Sequence, residues 1–249
     1  MPDRDPSDLR TYAPLDTLKA VADDIWIVDG PLIRFGFLGI RFPFPTRMTI
    51  VRTPGGLFLH SPTRLTPTLQ TEVTRLGPVR WIVGPNRIHY WWIPDWRSAC
   101  PDAEVWLAPR IREQAGARID FPAHELSADS GYPWDDAIAT IGIAGRYMSE
   151  FDFFHRASRT LILTDLIENF EPHKVPSRLL RALLWIAGAR APDSQMPRDM
   201  RFNYDRARLR AAVETMIGWQ PERIILAHGK WHDRNGAAEL KRAFRWLLT

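Results

Sequence analysis

Cysteine is almost missing from this 249-residue sequence, where Cys100 stands alone. A single thiol excludes an intrachain disulfide and any thiolate cluster, so a metal would have to be held by His, Asp or Glu. Cys100 lies in Arg97-Ser98-Ala99-Cys100-Pro101, with no neighbouring His or Lys to activate it, and reads as a bystander. Lysine is scarce as well: Lys19, Lys174, Lys230 and Lys241 are the whole set, and the other basic residues are Arg. Guanidinium groups suit carboxylate and phosphate recognition. Here they are scattered and form no basic run, so the net charge of +4 gives no footprint for nucleic acid. No apolar stretch approaches the roughly 18 residues that cross a bilayer. The polar, Pro-rich start, Met1 to Arg10, resembles neither a signal peptide nor an anchor. A cytoplasmic protein is expected. Internal repeats, a Gly-rich phosphate loop and Gly-x-Ser-x-Gly are all missing, which excludes a serine hydrolase of the nucleophile-elbow kind. A lipid-surface role would need an amphipathic helix, and none is read here.

What is present is enough apolar material for a core. Hydrophobic residues make up 45% of the chain and charged residues 25%, the balance of a soluble globule. Residues 1–14 are expected to be a flexible lead-in, and residues 15–249 one domain with no linker. Short apolar strands alternate with helices. Strands are expected at Asp24–Val28, Met48–Arg52 and Leu57–His60, the last two joined by a turn at Pro54-Gly55-Gly56. Thr66 followed by Pro67 opens a helix whose Leu69, Val73 and Leu76 share a face. More strands follow at 80–84, 105–108, 137–143, 151–155, 160–164 and 223–227. Helices are expected at 176–190, after Asp205, and at 236–248. The segment from Gly30 to Pro45 carries Phe35, Phe37, Leu38, Ile40, Phe42 and Phe44, and reads as an apolar hairpin or flap.

Three strands end in groups that can hold a ligand: Pro85-Asn86-Arg87-Ile88-His89, Leu163-Thr164-Asp165 and Leu226-Ala227-His228-Gly229. Ligands gather beyond the carboxyl ends of strands in open α/β sheets. A buried strand also delivers its terminal side chain to the rim with little freedom, as a metal ligand requires.

These elements and their order resemble the metallo-β-lactamase fold, an α/β four-layer αββα sandwich. The likeness runs along nearly the whole chain after about Leu15. It comes nearest to an uncharacterised bacterial branch, a domain of unknown function, on the phrases Pro45-Thr46-Arg47-Met48, Leu161 to Asn169 and Pro197-Arg198-Asp199-Met200-Arg201. The resemblance implies a metal site with Asp165 and His228 as ligands. Active members carry His-x-His-x-Asp-His after the fourth strand and bind two zinc ions. Here Asn86, Ile88, Tyr90 and Trp91 fill those positions, and His89 falls between them. His60-Ser61-Pro62 stands where Asp-Thr or Asp-Ser is usual. The place of the family's next His holds Gly145-Arg146-Tyr147.

Two readings of function follow. One is a metallo-hydrolase-like protein with a degenerate, at most mononuclear site. His89, Asp165 and His228 hold one zinc, iron or manganese ion, and a small ester, amide or phosphoester is cleaved. Asn86 or Arg146 then binds the developing anion, and Glu150 and Glu168 are acid/base candidates. The other is a metal-free, non-catalytic module whose old cleft, lined by Asn86, Tyr90, Trp91 and Arg146, takes a small anionic or aromatic ligand or a partner protein. Either way a small-molecule ligand is expected, with neither nucleic acid nor an integral membrane segment; an oligomer stays open.

Overall fold

The computed structural model describes residues 11–35, 42–175 and 177–249. Four strands open the chain: β1 (Lys19–Ala22), β2 (Ile25–Phe35), β3 (Phe42–Thr53) and β4 (Gly56–His60). Helix α1 (Pro67–Leu76) leads to β5 (Val79–Gly84), α2 (Ile93–Ala99), β6 (Glu104–Leu107), α3 (Ile111–Ala115) and β7 (His124–Glu125). A second strand set, β8 (Ile138–Ile143), β9 (Glu150–His155) and β10 (Thr160–Leu163), is followed by α4 (Arg178–Ala187) and α5 (Arg206–Gly218). The chain closes with β11 (Arg223–Leu226), α6 (Gly236–Ala243) and α7 (Arg245–Leu248). Strands β1 to β7 form one sheet in sequence order, and β11-β10-β9-β8 form the other.

Side-chain alternation stacks the two sheets. In β10, Ile162 enters the core shared with the seven-stranded sheet, while Leu161 and Leu163 face the other way. Ile225 against Ile224 and Leu226 repeats the pattern in β11, as does Phe153 against Phe154 in β9. The outward set packs on Leu209, Val213 and Met216 of α5 and on Leu240 of α6. Leu69 and Val73 of α1 and Ile93 and Trp96 of α2 join the core of the first sheet. The layers are those of the expected αββα sandwich.

Side-chain caps open three of the described α-helices, α1, α4 and α5. Thr66 accepts from the Leu69 N–H at 3.2 Å at the start of α1, and Asp205 accepts from Arg208 N–H at 3.0 Å at the start of α5. The expected closing helix breaks at Phe244, whose backbone leaves the helical region, giving α6 and α7. The expected hairpin is present in its arms, with Ile33 opposite Phe44 and Leu32 opposite Pro45; its tip, 36–41, lies outside the described residues. One expectation is overturned: α4 is strongly amphipathic and exposes Leu179, Leu183, Trp185 and Ile186. Among the described residues no helix is long and apolar enough to cross a membrane.

Candidate functional site

The three strand ends converge. Beyond β5, Asn86 starts a tight turn: its Oδ1 accepts the Ile88 N–H at 3.0 Å, and its carbonyl accepts the His89 N–H at 3.1 Å. That turn carries Ile88 past the rim and swings His89 inward. Asp165 follows β10, which lies beside β11 in parallel register, Leu163 opposite Leu226. Asp165 and His228 therefore leave neighbouring strands at the same end. His89, Asp165 and His228 are all buried, and one donor atom from each lies within 4.8 Å of the others.

The spacing of those donors is informative. His89 Nε2 and His228 Nε2 are 3.2 Å apart, His228 Nε2 is 3.2 Å from Asp165 Oδ1, and His89 Nε2 is 3.4 Å from Asp165 Oδ2. Ligands about 2.0–2.1 Å from a tetrahedral zinc stand roughly 3.3 Å from each other. The Pro45 carbonyl accepts from His228 Nδ1 at 2.7 Å, so that nitrogen carries a proton and Nε2 is the ring atom turned toward the trio. His89 Nδ1 meets Ser61 Oγ at 2.7 Å, which orients the second ring. Lone pairs gathered this closely away from water repel one another unless a proton or a metal cation lies among them.

A ring of buried groups fixes the trio. Asn86 Nδ2 donates to Asp165 Oδ2 at 2.7 Å and to Glu150 Oε2 at 3.4 Å. Glu150 Oε1 accepts the backbone N–H groups of Thr164, Asp165 and Leu166 at 3.0, 2.9 and 3.2 Å. Arg47 spans from β3 to the His228 loop: Nη1 donates to the carbonyls of Leu226 and Gly229 at 2.5 and 2.8 Å. Its Nε and Nη2 hold Asp29 at 2.8 and 2.7 Å. Gly229 has φ +87°, and a Cβ there would lie 2.2 Å from the Asn169 carbonyl oxygen, so only glycine lets the loop close on Asn169.

Electrostatics follow from the dry setting. Burial pushes His89 below the usual imidazole range, against the pull of Asp165. Burial also lowers His228, but its hydrogen bond to Asp165 and the charges of Asp165 and Glu168 outweigh that and leave it raised. Burial would raise Asp165; the two imidazoles overcome it and hold the carboxyl well below the usual range. Burial, then the charge of His89, bring His60 down to about 3, so it is a neutral ring. Burial and the charge of Asp165 push Glu150 up to about 7. Burial lifts Glu168 to about 8, with Asp165 adding to it and His228 opposing it.

The expected residues are thus partly reunited. His89, Asp165 and His228 meet. Asn86 touches Asp165 and is fully buried, with its amide engaged by Asp165, Glu150 and Ile88. Arg146 is exposed on the loop between β8 and β9, with its backbone N–H on the Asn203 carbonyl. The charges that dominate the trio are its own and that of Glu168. Tyr90 and Trp91 stack on each other at 5.6 Å, and Arg118 lies over both rings at 5.6 and 5.2 Å. The ring that does face His228 is Phe44, at 5.4 Å. Sequence reasoning missed Ser61 and Arg47 as supports. The one signal for Ser61 was its place at the end of β4; for Arg47 it was a lone charge entering an apolar strand.

Comparison with known families agrees with this geometry. The family model described as a domain of unknown function, DUF4336, matches residues 23–201. The chain belongs to that family. No functionally curated protein matches it. Among solved structures, the DUF4336 chain is similar to the metallo-β-lactamase DIM-1, exposed to ceftazidime, at 13% identity and TM-score 0.62, covering 96% of each chain. It is similar to the metallo-β-lactamase FIM-1 from Pseudomonas aeruginosa in its mono-zinc form, at 13% identity and TM-score 0.60, covering 98% of this chain and 99% of that one. The flavodiiron core of Flv1 from Synechocystis sp. gives TM-score 0.59 at 11% identity, covering 97% of this chain and 61% of the other. At these identities the likeness establishes the fold: DUF4336 here is a metallo-β-lactamase-fold chain with a buried His/Asp/His grouping.

Proposed function

We propose that this DUF4336 protein is a mononuclear metallo-hydrolase-like enzyme, with His89 Nε2, His228 Nε2 and the Asp165 carboxylate holding one zinc, iron or manganese ion. The observation that carries the reading is the buried meeting of three donors: the two Nε2 atoms are 3.2 Å apart, each is 3.2–3.4 Å from a different oxygen of Asp165, and one atom from each residue lies within 4.8 Å of the others. Three protein ligands leave an open position, the composition of a catalytic rather than a structural site. Such an ion supplies Lewis acidity and an acidified water. The protein's part is positional. Ser61 and the Pro45 carbonyl turn the two imidazoles, and Asn86 pins one carboxylate oxygen of Asp165. Glu168, half-buried and within electrostatic reach of His228 and Asp165, has its carboxyl pushed up by burial and is the candidate acid. The substrate class is a small ester, amide or phosphoester.

A metal-free binding module is the second reading. It is favoured by Ile88 and Trp91, which stand where the resembling enzymes carry imidazoles and offer no ligand atom. Zinc-loaded protein, purified without a His-tag, should cleave at least one member of a chromogenic panel of acetate esters, anilides and phosphate mono- and diesters. Asp165→Asn and His228→Ala should each lose that turnover. Turnover that survives both substitutions would defeat the assignment. A wild-type chain inert across the panel that still binds an aromatic anion in the cleft would favour the module.

A further inference from the structure

Helix α4 is more apolar than the fold needs. One side, Leu180, Leu184 and Ala187, packs with Phe170, Val175 and Phe44. A second side is solvent-facing: Leu179, Leu183 and Ile186 follow at i, i+4 and i+7 and are 70, 40 and 55% exposed. Trp185, 65% exposed, lies on the flank of that stripe together with Arg178, seven residues before it. Soluble proteins rarely leave so much contiguous apolar surface uncovered.

The helix and its immediate flanks carry positive charge, with Glu171 and Asp193 standing just beyond them. From Lys174 to Pro192 the sequence carries Lys174, Arg178, Arg181 and Arg190 and no Asp or Glu. Arg178 and Arg190 are exposed, at the two ends of the helix. An exposed aliphatic stripe, a flanking Trp and bordering Arg residues are what a helix lying in the headgroup layer of a bilayer presents. A second protein copy would bring the same positive charge against itself, whereas an anionic lipid surface complements it.

We propose that α4 is an interfacial docking helix, which seats this protein on an anionic lipid bilayer with Leu179, Leu183, Trp185 and Ile186 entering the headgroup layer. Phe44 joins the cluster beneath the packed side of α4 and also touches His228, so the helix stands one layer of side chains from the trio. This inference stands whether or not the trio holds a metal.

Flotation of the full chain decides it, using vesicles of phosphatidylcholine alone and of phosphatidylcholine with about a third phosphatidylserine. The protein should float with the anionic vesicles and far less with the neutral ones. Replacing Arg178 and Arg190 by Ser should weaken the anionic partition about fivefold per charge removed. The triple variant Leu179→Ser, Trp185→Ser, Ile186→Ser should reduce it by about tenfold or more with the near-UV circular dichroism unchanged. If the triple variant does not fold, the arginine pair alone tests the idea. Absence of flotation with either vesicle would overturn it, as would variants that float like wild type. A wild-type dimer that the triple variant converts to monomer, without lipid binding, would assign the stripe to a second copy instead.

Discussion

Removing Arg47 should loosen both the fold and the site. The guanidinium is 2% exposed, bonds Asp29 twice and caps the Leu226 and Gly229 carbonyls that bracket His228. Arg47→Met keeps much of the volume but deletes all four contacts. Breaking a buried ion pair costs about 3–5 kcal/mol when it strands the partner charge. Asp29 keeps Lys19 Nζ at 2.7 Å, which places the ion-pair loss at the lower end. The two orphaned carbonyls add to it, so about 3–4 kcal/mol is expected. For a chain of this size that is a fall in Tm of roughly 6–16 °C. Urea denaturation should show a lower midpoint at an unchanged slope. Zinc affinity should fall at the same time, because His228 loses its anchored backbone. A loss under about 1 kcal/mol, or full destabilisation with untouched zinc affinity, would refute the view that Arg47 holds the ligand loop.

Other perturbations follow the same geometry. Gly229→Ala should cost about 3 kcal/mol or more in urea unfolding, because both the positive φ and the contact with the Asn169 carbonyl oppose a Cβ. Glu150→Ala strands three backbone N–H groups and should cost at least about 3 kcal/mol, with Glu150→Gln recovering most of it by keeping an acceptor oxygen. Ser61→Ala removes the partner of His89 Nδ1 and should weaken zinc binding by about 10-fold in calorimetric titration while the fold survives. Introducing Ile88→His and Trp91→His together should leave the zinc stoichiometry at one, because His89 is the residue of this turn whose ring meets Asp165 and His228, and position 91 lies beside Tyr90 under the Arg118 guanidinium.

The layer order was legible because buried strands write themselves as short apolar runs and their last polar residues mark the rim. Asp165 and His228 could be read that way. His89 was readable only as an outlier, since nothing in its neighbours announces that Asn86 tightens the chain into the turn that brings it inward. Glu150 and Arg47 act through partners at least 14 and up to 182 residues away, a separation no local pattern encodes. The hold of the Asn203 carbonyl on the Arg146 N–H is likewise invisible in the sequence, since the two residues lie far apart along the chain. In α4 only Arg178 and Arg181 are polar, and the apolar arc runs from the packed side onto the exposed one, so the part of it that faces solvent emerges only once the packing is known.

Metal stoichiometry tests the central claim most directly. Chelator-stripped protein, made without a tag, is titrated with zinc by calorimetry, and the product is checked by elemental analysis beside the Asp165→Asn variant. One tight equivalent in the wild type, lost in Asp165→Asn, is the predicted result. Two tight equivalents, or a stably folded wild type that takes up none, would contradict a one-metal centre at His89, Asp165 and His228.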